Sequence, residues 1–138
     1  LLLQALQIDP RNAQAYFLLG RLYQSQNSLE AAEQAYRNGI QLAPKAPQAV
    51  TAYSALGDIY QKSNRLPEAI AMTQKAVELA PDIWVNHLNL ALLYQRTNRL
   101  PDAMSEAQLA YNLAPSDAKQ RVVDIISQLQ QGAPRLTP

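Results

Sequence analysis

Residues 13–44 read AQAYFLLGRLYQSQNSLEAAEQAYRNGIQLAP, and this stretch decides the fold. Inside it Tyr16, Leu19, Gly20, Tyr23 and Ala32 stand in order before Pro44. The same order returns as Tyr53, Leu56, Gly57, Tyr60, Ala69 and Pro81, and again as His87, Leu90, Ala91, Tyr94, Ala103 and Pro115. Pro10, Pro44, Pro81 and Pro115 are spaced by 34, 37 and 34 residues, a period at which pairs of helices stack into arrays. The composition agrees, because Ala, Leu and Gln are abundant while β-branched residues and Gly are few. The 9 prolines suit a helical chain only at helix ends, and most stand there.

At these residues the sequence resembles the tetratricopeptide repeat (TPR) family, whose pattern is W-x2-L-G-x2-Y, then A-x3-F, then A, then P. The resemblance runs through nearly the whole chain. It implies an all-α, right-handed helical solenoid of helix-turn-helix repeats. Residues 1–10 are expected to be the second helix of a truncated repeat, with full repeats at 11–44, 45–81 and 82–115. The middle repeat carries a three-residue insertion, in APKAPQAV. Residues 116–131 are expected to form a capping helix that covers the apolar end of the array, and 132–138 a disordered tail.

Local signals place the helices. Asn12 is a candidate N-cap for a helix over 13–26, and Asn27 with Glu30 reads as a capping box for a helix over 29–42. Pro47 suits the first turn of a helix over 48–63, and Pro67 with Glu68 opens a helix over 67–80. Pro101 and Asp102 repeat that device. Asp82 is expected to cap a helix over 83–97, and Ser116 the last one, whose Val122, Ile125, Ile126 and Leu129 form an apolar stripe. Gly20, Ala32 and Gly39 fall where paired helices must approach closely. Gly inside a helix is about 0.8–1 kcal/mol worse than Ala, so its recurrence implies a packing reason.

Charge and chemistry exclude several classes of function. A net charge of +1 offers no basic field for nucleic acid. The sequence has no cysteine and no run of about 18 apolar residues, so thiolate chemistry and direct membrane insertion are not expected. His87 fills the slot of Tyr16 and Tyr53 and reads as a packed repeat residue rather than a general base or metal ligand. Glu30, Glu33, Glu68 and Glu78 are scattered helix-face charges, and no serine has a nucleophile-elbow context. No enzyme, cofactor or metal site is expected. The start at Leu1 reads as a cut that hides any targeting signal, the residue usage reads as bacterial, and a soluble, cytoplasmic setting is favoured.

Function is expected on the inner face of the array, lined by the first helix of each repeat. By the resemblance this face carries Gln14, Phe17, Leu18, Arg21 and Gln24, then Thr51, Ser54, Asp58 and Gln61, then Val85, Leu88, Asn89, Leu92 and Arg96. Phe17, Leu18, Val85, Leu88 and Leu92 make an apolar wall suited to a peptide or helix of a protein partner, as in a scaffold or assembly factor. Some family members resemble a carboxylate clamp of Lys, Asn and Arg that grips the acidic tail of heat-shock chaperones. The matching positions here hold Phe17, Arg21, Ala55, Val85 and Asn89, so a chaperone tail is not the expected partner. The rival readings are a homodimer through Leu1, Leu2, Leu3 and Leu6, or a substrate-docking segment of a larger enzyme.

Overall fold

The computed structural model describes residues 1–132, so most of the expected tail lies outside the described residues. The described residues form eight helices and no strand. They are α1 (Leu2–Ile8), α2 (Ala13–Ser25), α3 (Leu29–Leu42), α4 (Pro47–Lys62), α5 (Leu66–Leu79), α6 (Trp84–Arg96), α7 (Leu100–Leu113) and α8 (Lys119–Gly132). The chain divides into two compact units, Leu1–Leu79 and Ala80–Pro138. In the first unit α2 packs on α3 and α4 on α5, with α3 and α2 both touching α4 and α1 resting on α2. In the second, α7 packs between α6 and α8.

The starts of these helices follow local chemistry. The Asn12 side chain accepts from the Ala15 N–H at 2.9 Å and supplies one of the orphan donors of α2. Pro47 stands in the first turn of α4 behind Ala46, where the missing N–H removes nothing.

Three expected caps are replaced by something else. Asn27 does not open α3; it closes α2, at φ +58°. Its N–H bonds the Gln24 carbonyl, and the Ser28 N–H reaches back to the Tyr23 carbonyl. That pair of bonds is a Schellman motif, which needs a left-handed residue. Asn64 and Asn98 repeat it with φ of +56° and +58°. Arg65 N–H bonds the Tyr60 carbonyl and Arg99 N–H the Tyr94 carbonyl. Next, Ile83 rather than Asp82 precedes α6, with no side-chain cap. Finally, α8 begins at Lys119, after a turn in which both Ala118 and Lys119 donate to the Pro115 carbonyl, so Ser116 is not adjacent to the helix. Asn98→Val should strain the third of these left-handed turns by about 1–2 kcal/mol, whereas Asn98→Gly should be neutral or stabilising. Equal urea midpoints for the two variants would show that the turn conformation does not matter.

Small residues let the helices of a pair meet. A Cβ built on Gly20 would lie 2.6 Å from the Tyr36 ring, one on Gly39 2.7 Å from the Phe17 ring, and one on Gly57 2.5 Å from the Thr73 hydroxyl. Ala32, Ala69 and Ala103 are each 0% exposed. These contacts bear out the close-approach reading of the glycines.

A polar network then fixes α3 against α4 and α5. Arg37 Nε donates to the Tyr60 hydroxyl at 3.0 Å, and that hydroxyl donates to Glu33 at 2.9 Å. Arg65 bonds Glu33 and Glu68, each at 3.1 Å, while its guanidinium lies 4.3 Å from the centre of the Tyr60 ring. Because Tyr60 itself is 1% exposed, these bonds satisfy a hydroxyl at the edge of the core. They hold the helices that carry the site in one register.

Candidate binding site

The first unit contains a cavity of about 80 Å³ lined by Gln14, Phe17, Leu18 and Arg21 of α2, Tyr36 of α3, and Gln48, Thr51 and Ala52 of α4. Helical spacing explains the α2 set, since positions 14, 17, 18 and 21 are three or four residues apart and share one face. Phe17, Tyr36 and Ala52 are buried and make the floor, whereas Gln14, Leu18, Arg21, Gln48 and Thr51 are exposed at the rim. The two floor rings are seated reciprocally. Phe17 of α2 lies on Gly39 of α3, and Tyr36 of α3 lies on Gly20 of α2. Side chains at either glycine would push a ring into the cavity.

The floor is apolar but not inert. The Tyr36 hydroxyl donates to Gln24 Oε1 at 2.8 Å, so Gln24 supports the floor from behind and does not face an occupant with that oxygen. Burial raises the Tyr36 pKa and the nearby Arg21 charge pulls it back. Among the described residues Arg21 makes no ion pair. Farther along α4, Asp58 is held above the usual carboxylate range by burial, partly offset by Lys62.

Of the expected groove residues, the cavity brings together Gln14, Phe17, Leu18, Arg21 and Thr51. Ser54, Asp58 and Gln61 lie on α4 outside it, and the Ser54 hydroxyl donates to the Val50 carbonyl at 3.1 Å. In the second unit Val85 and Arg96 are exposed while Asn89 and Leu92 are half-buried, all on α6. Leu88 departs from the expectation. It is 1% exposed and packs with Ala110, Ala114 and Val122, with Trp84, Tyr111, Ala118, Ile125 and Ile126 around them. It therefore belongs to the core beneath α8, because the stripe of α8 covers the position. Tyr36, Gln48 and Ala52 were not foreseen. Tyr36 sits on the second helix of its repeat, and its A-x3-F slot marks it only as core.

His87 is packed, as its slot implies. It is 4% exposed, with Nε2 2.8 Å from the Pro81 carbonyl and Nδ1 2.6 Å from Glu106. The Pro81 oxygen can only accept, so Nε2 is the donor in that bond. Both ring nitrogens are thus committed internally. Among the described residues no group of three or more His, Cys, Asp or Glu is placed to hold a metal ion, and no helix is long and apolar enough to cross a membrane.

A second apolar cavity, about 480 Å³, lies beside α1 and is lined by Leu1, Leu2, Leu3, Leu19, Leu22, Tyr23 and Gln26.

Comparison with known proteins points one way. One family model described as tetratricopeptide repeat matches residues 1–34, and another so described matches residues 50–83. Among solved structures, MamA superposes with a TM-score of 0.85 at 19% identity, covering 95% of this chain and 74% of that one. A second MamA structure gives 0.84 at 19% identity, covering 95% and 69%. The TPR2B domain of yeast Sti1, solved as a pHsp70 complex, gives 0.77 at 22% identity, covering 88% and 98%. At such identities the likeness speaks for the fold. No curated protein matches the chain.

Proposed function

Since the chain is a tetratricopeptide-repeat protein, and such repeats form a protein-interaction module, we propose that it holds a peptide or helix of a protein partner on the α2/α4 face, acting as a scaffold or assembly factor. One observation carries this reading. Gln14, Phe17, Leu18 and Arg21, four of the five α2 residues that the resemblance assigns to ligand contact, line one cavity with an apolar floor and a polar rim, the usual make-up of a recognition site. The partner of the Sti1 domain does not transfer. With Phe17, Arg21 and Ala55 at clamp positions of the first unit, a carboxylate-rich tail would find one cation, and desolvated carboxylates left unpaired cost several kcal/mol.

The reading is tested by selecting displayed random peptides on the full chain and on Leu18→Glu. Leu18 is 37% exposed, so the variant should fold, which circular dichroism checks. Selected peptides should lose binding to Leu18→Glu by tenfold or more, about the worth of one buried aliphatic contact. Unchanged binding would move recognition elsewhere on the molecule. Self-association through Leu1, Leu2, Leu3 and Leu6 is the rival use of the α1 face, and a constant monomer mass in light scattering would remove it.

A further inference from the structure

The size of the α2/α4 cavity and the charge on its rim narrow what can occupy it. We propose that the site selects a segment carrying a branched aliphatic anchor, Val or Ile, with an acidic side chain close by in sequence. This rests on the preceding reading and names the chemistry of its ligand.

The anchor follows from volume. The cavity holds about 80 Å³, roughly half the ~150 Å³ that admits a benzene ring. A space of that size seats an isopropyl or sec-butyl group more completely than a Phe or Trp ring. The walls cannot easily enlarge, because Phe17 and Tyr36 already press on Gly39 and Gly20, and close-packed interiors yield little. Ala52, 1% exposed, closes the α4 side.

The charge follows from Arg21. It is exposed, forms no ion pair among the described residues, and lies one helical turn along α2 from Phe17 and Leu18. The other rim groups, Gln14, Gln48 and Thr51, are neutral. Beside an apolar cavity, a lone guanidinium favours a carboxylate, which it can hold bidentately. One helical turn spans about 5.4 Å. An extended ligand advances about 3.3 Å per residue, so its carboxylate belongs one or two residues from the anchor. A helical ligand would place it three or four residues away. The spacing in selected sequences therefore reports the bound conformation as well.

The test uses displayed random linear peptides selected on the full chain, on Arg21→Glu and on Leu18→Glu. Wild-type selection should enrich Val or Ile with Asp or Glu at one of those spacings. Synthetic copies of the enriched peptides should bind Arg21→Glu roughly tenfold more weakly, since reversal replaces an attraction with a repulsion. Selection on Arg21→Glu should keep the aliphatic anchor and exchange the acid for Lys or Arg. Enrichment of Phe or Trp anchors, or affinity indifferent to Arg21→Glu, overturns the proposal while leaving the peptide-binding reading intact so long as Leu18→Glu abolishes binding. Enrichment that survives Leu18→Glu, or no enrichment at all, overturns both.

Discussion

Leu88→Ala should lower the stability of the second unit by about 2–5 kcal/mol, the usual range for emptying a filled core position. Leu88 is 1% exposed, and its neighbours Ala110 and Ala114 are too small to fill the space by changing rotamer. Val122, 0% exposed on α8, is held by its own helix and cannot collapse far. The cavity should therefore persist, which places the cost toward the upper part of the range. The protein has a single tryptophan, Trp84, and it packs against this same cluster. Urea unfolding followed by tryptophan fluorescence thus reads the second unit directly. A half-buried neighbour on the same helix, Leu92, supplies the contrast, and Leu92→Ala should cost less. If Leu88→Ala leaves the midpoint unmoved, the side chain is not in the core and the groove assignment of this residue returns. The same burial makes a charge at position 88 unsuitable for probing recognition, because Leu88→Glu would disturb folding before it disturbed binding.

Leu88 also shows where sequence reasoning reaches its limit. Phe17, Ser54 and Leu88 are spaced by 37 and 34 residues and occupy one slot of the repeat. Periodicity establishes that the slot lies on one face of the first helix. It does not say whether a large apolar side chain there faces a ligand or another helix. Phe17 meets Gly39 and ends as the floor of a cavity, while Leu88 meets Val122 and ends in the core.

The helices of the three repeats were legible to within a residue or two, because prolines at 47, 67 and 101 and the repeated spacing mark them twice over, whereas α8 starts at Lys119, three residues after the expected 116. The Asn residues were less so. Asn27 before Ser28, Leu29 and Glu30 satisfies the pattern of a helix start, yet its backbone serves the end of the preceding helix. Asn is favoured in both roles, as a side-chain acceptor at an N-cap and as a residue tolerant of left-handed backbone. Only the recurrence at Asn64 and Asn98, where no Ser follows and Arg65 and Arg99 stand instead, separates the two. On the site, α2 was readable since its face is defined by one helix. The contribution of Tyr36 was not, since it depends on how a second helix packs behind the first.

Gly20→Ala should destabilise the first unit despite improving helix propensity. The substitution gains about 0.8–1 kcal/mol in an unstrained helix. Here the new Cβ would lie 2.6, 2.7 and 2.8 Å from three atoms of the Tyr36 ring. That ring is 1% exposed and its hydroxyl is tied to Gln24 at 2.8 Å, so it has nowhere to retreat except into the cavity. Overpacking of this kind costs about 1–3 kcal/mol, for a net loss of up to ~2 kcal/mol, and Gly20→Leu should exceed it. Gly132→Ala is the control, because nothing lies within 4 Å of its added Cβ. The other repeats suggest how to isolate the cause. The slot pair held by Gly20 and Tyr36 becomes Gly57 and Thr73, then Ala91 and Ala107, so alanine stands at the first position where the second is also small. In a Tyr36→Ala background, Gly20→Ala should therefore stop costing stability and return its propensity gain. Denaturation of the four proteins of this double-mutant cycle measures the coupling, expected at about 1–3 kcal/mol. The same cost in both backgrounds would mean that the ring is not what requires a glycine. If the coupling appears, Gly20→Ala should also weaken peptide capture on α2 and α4, because the displaced ring enters the space an aliphatic anchor would fill.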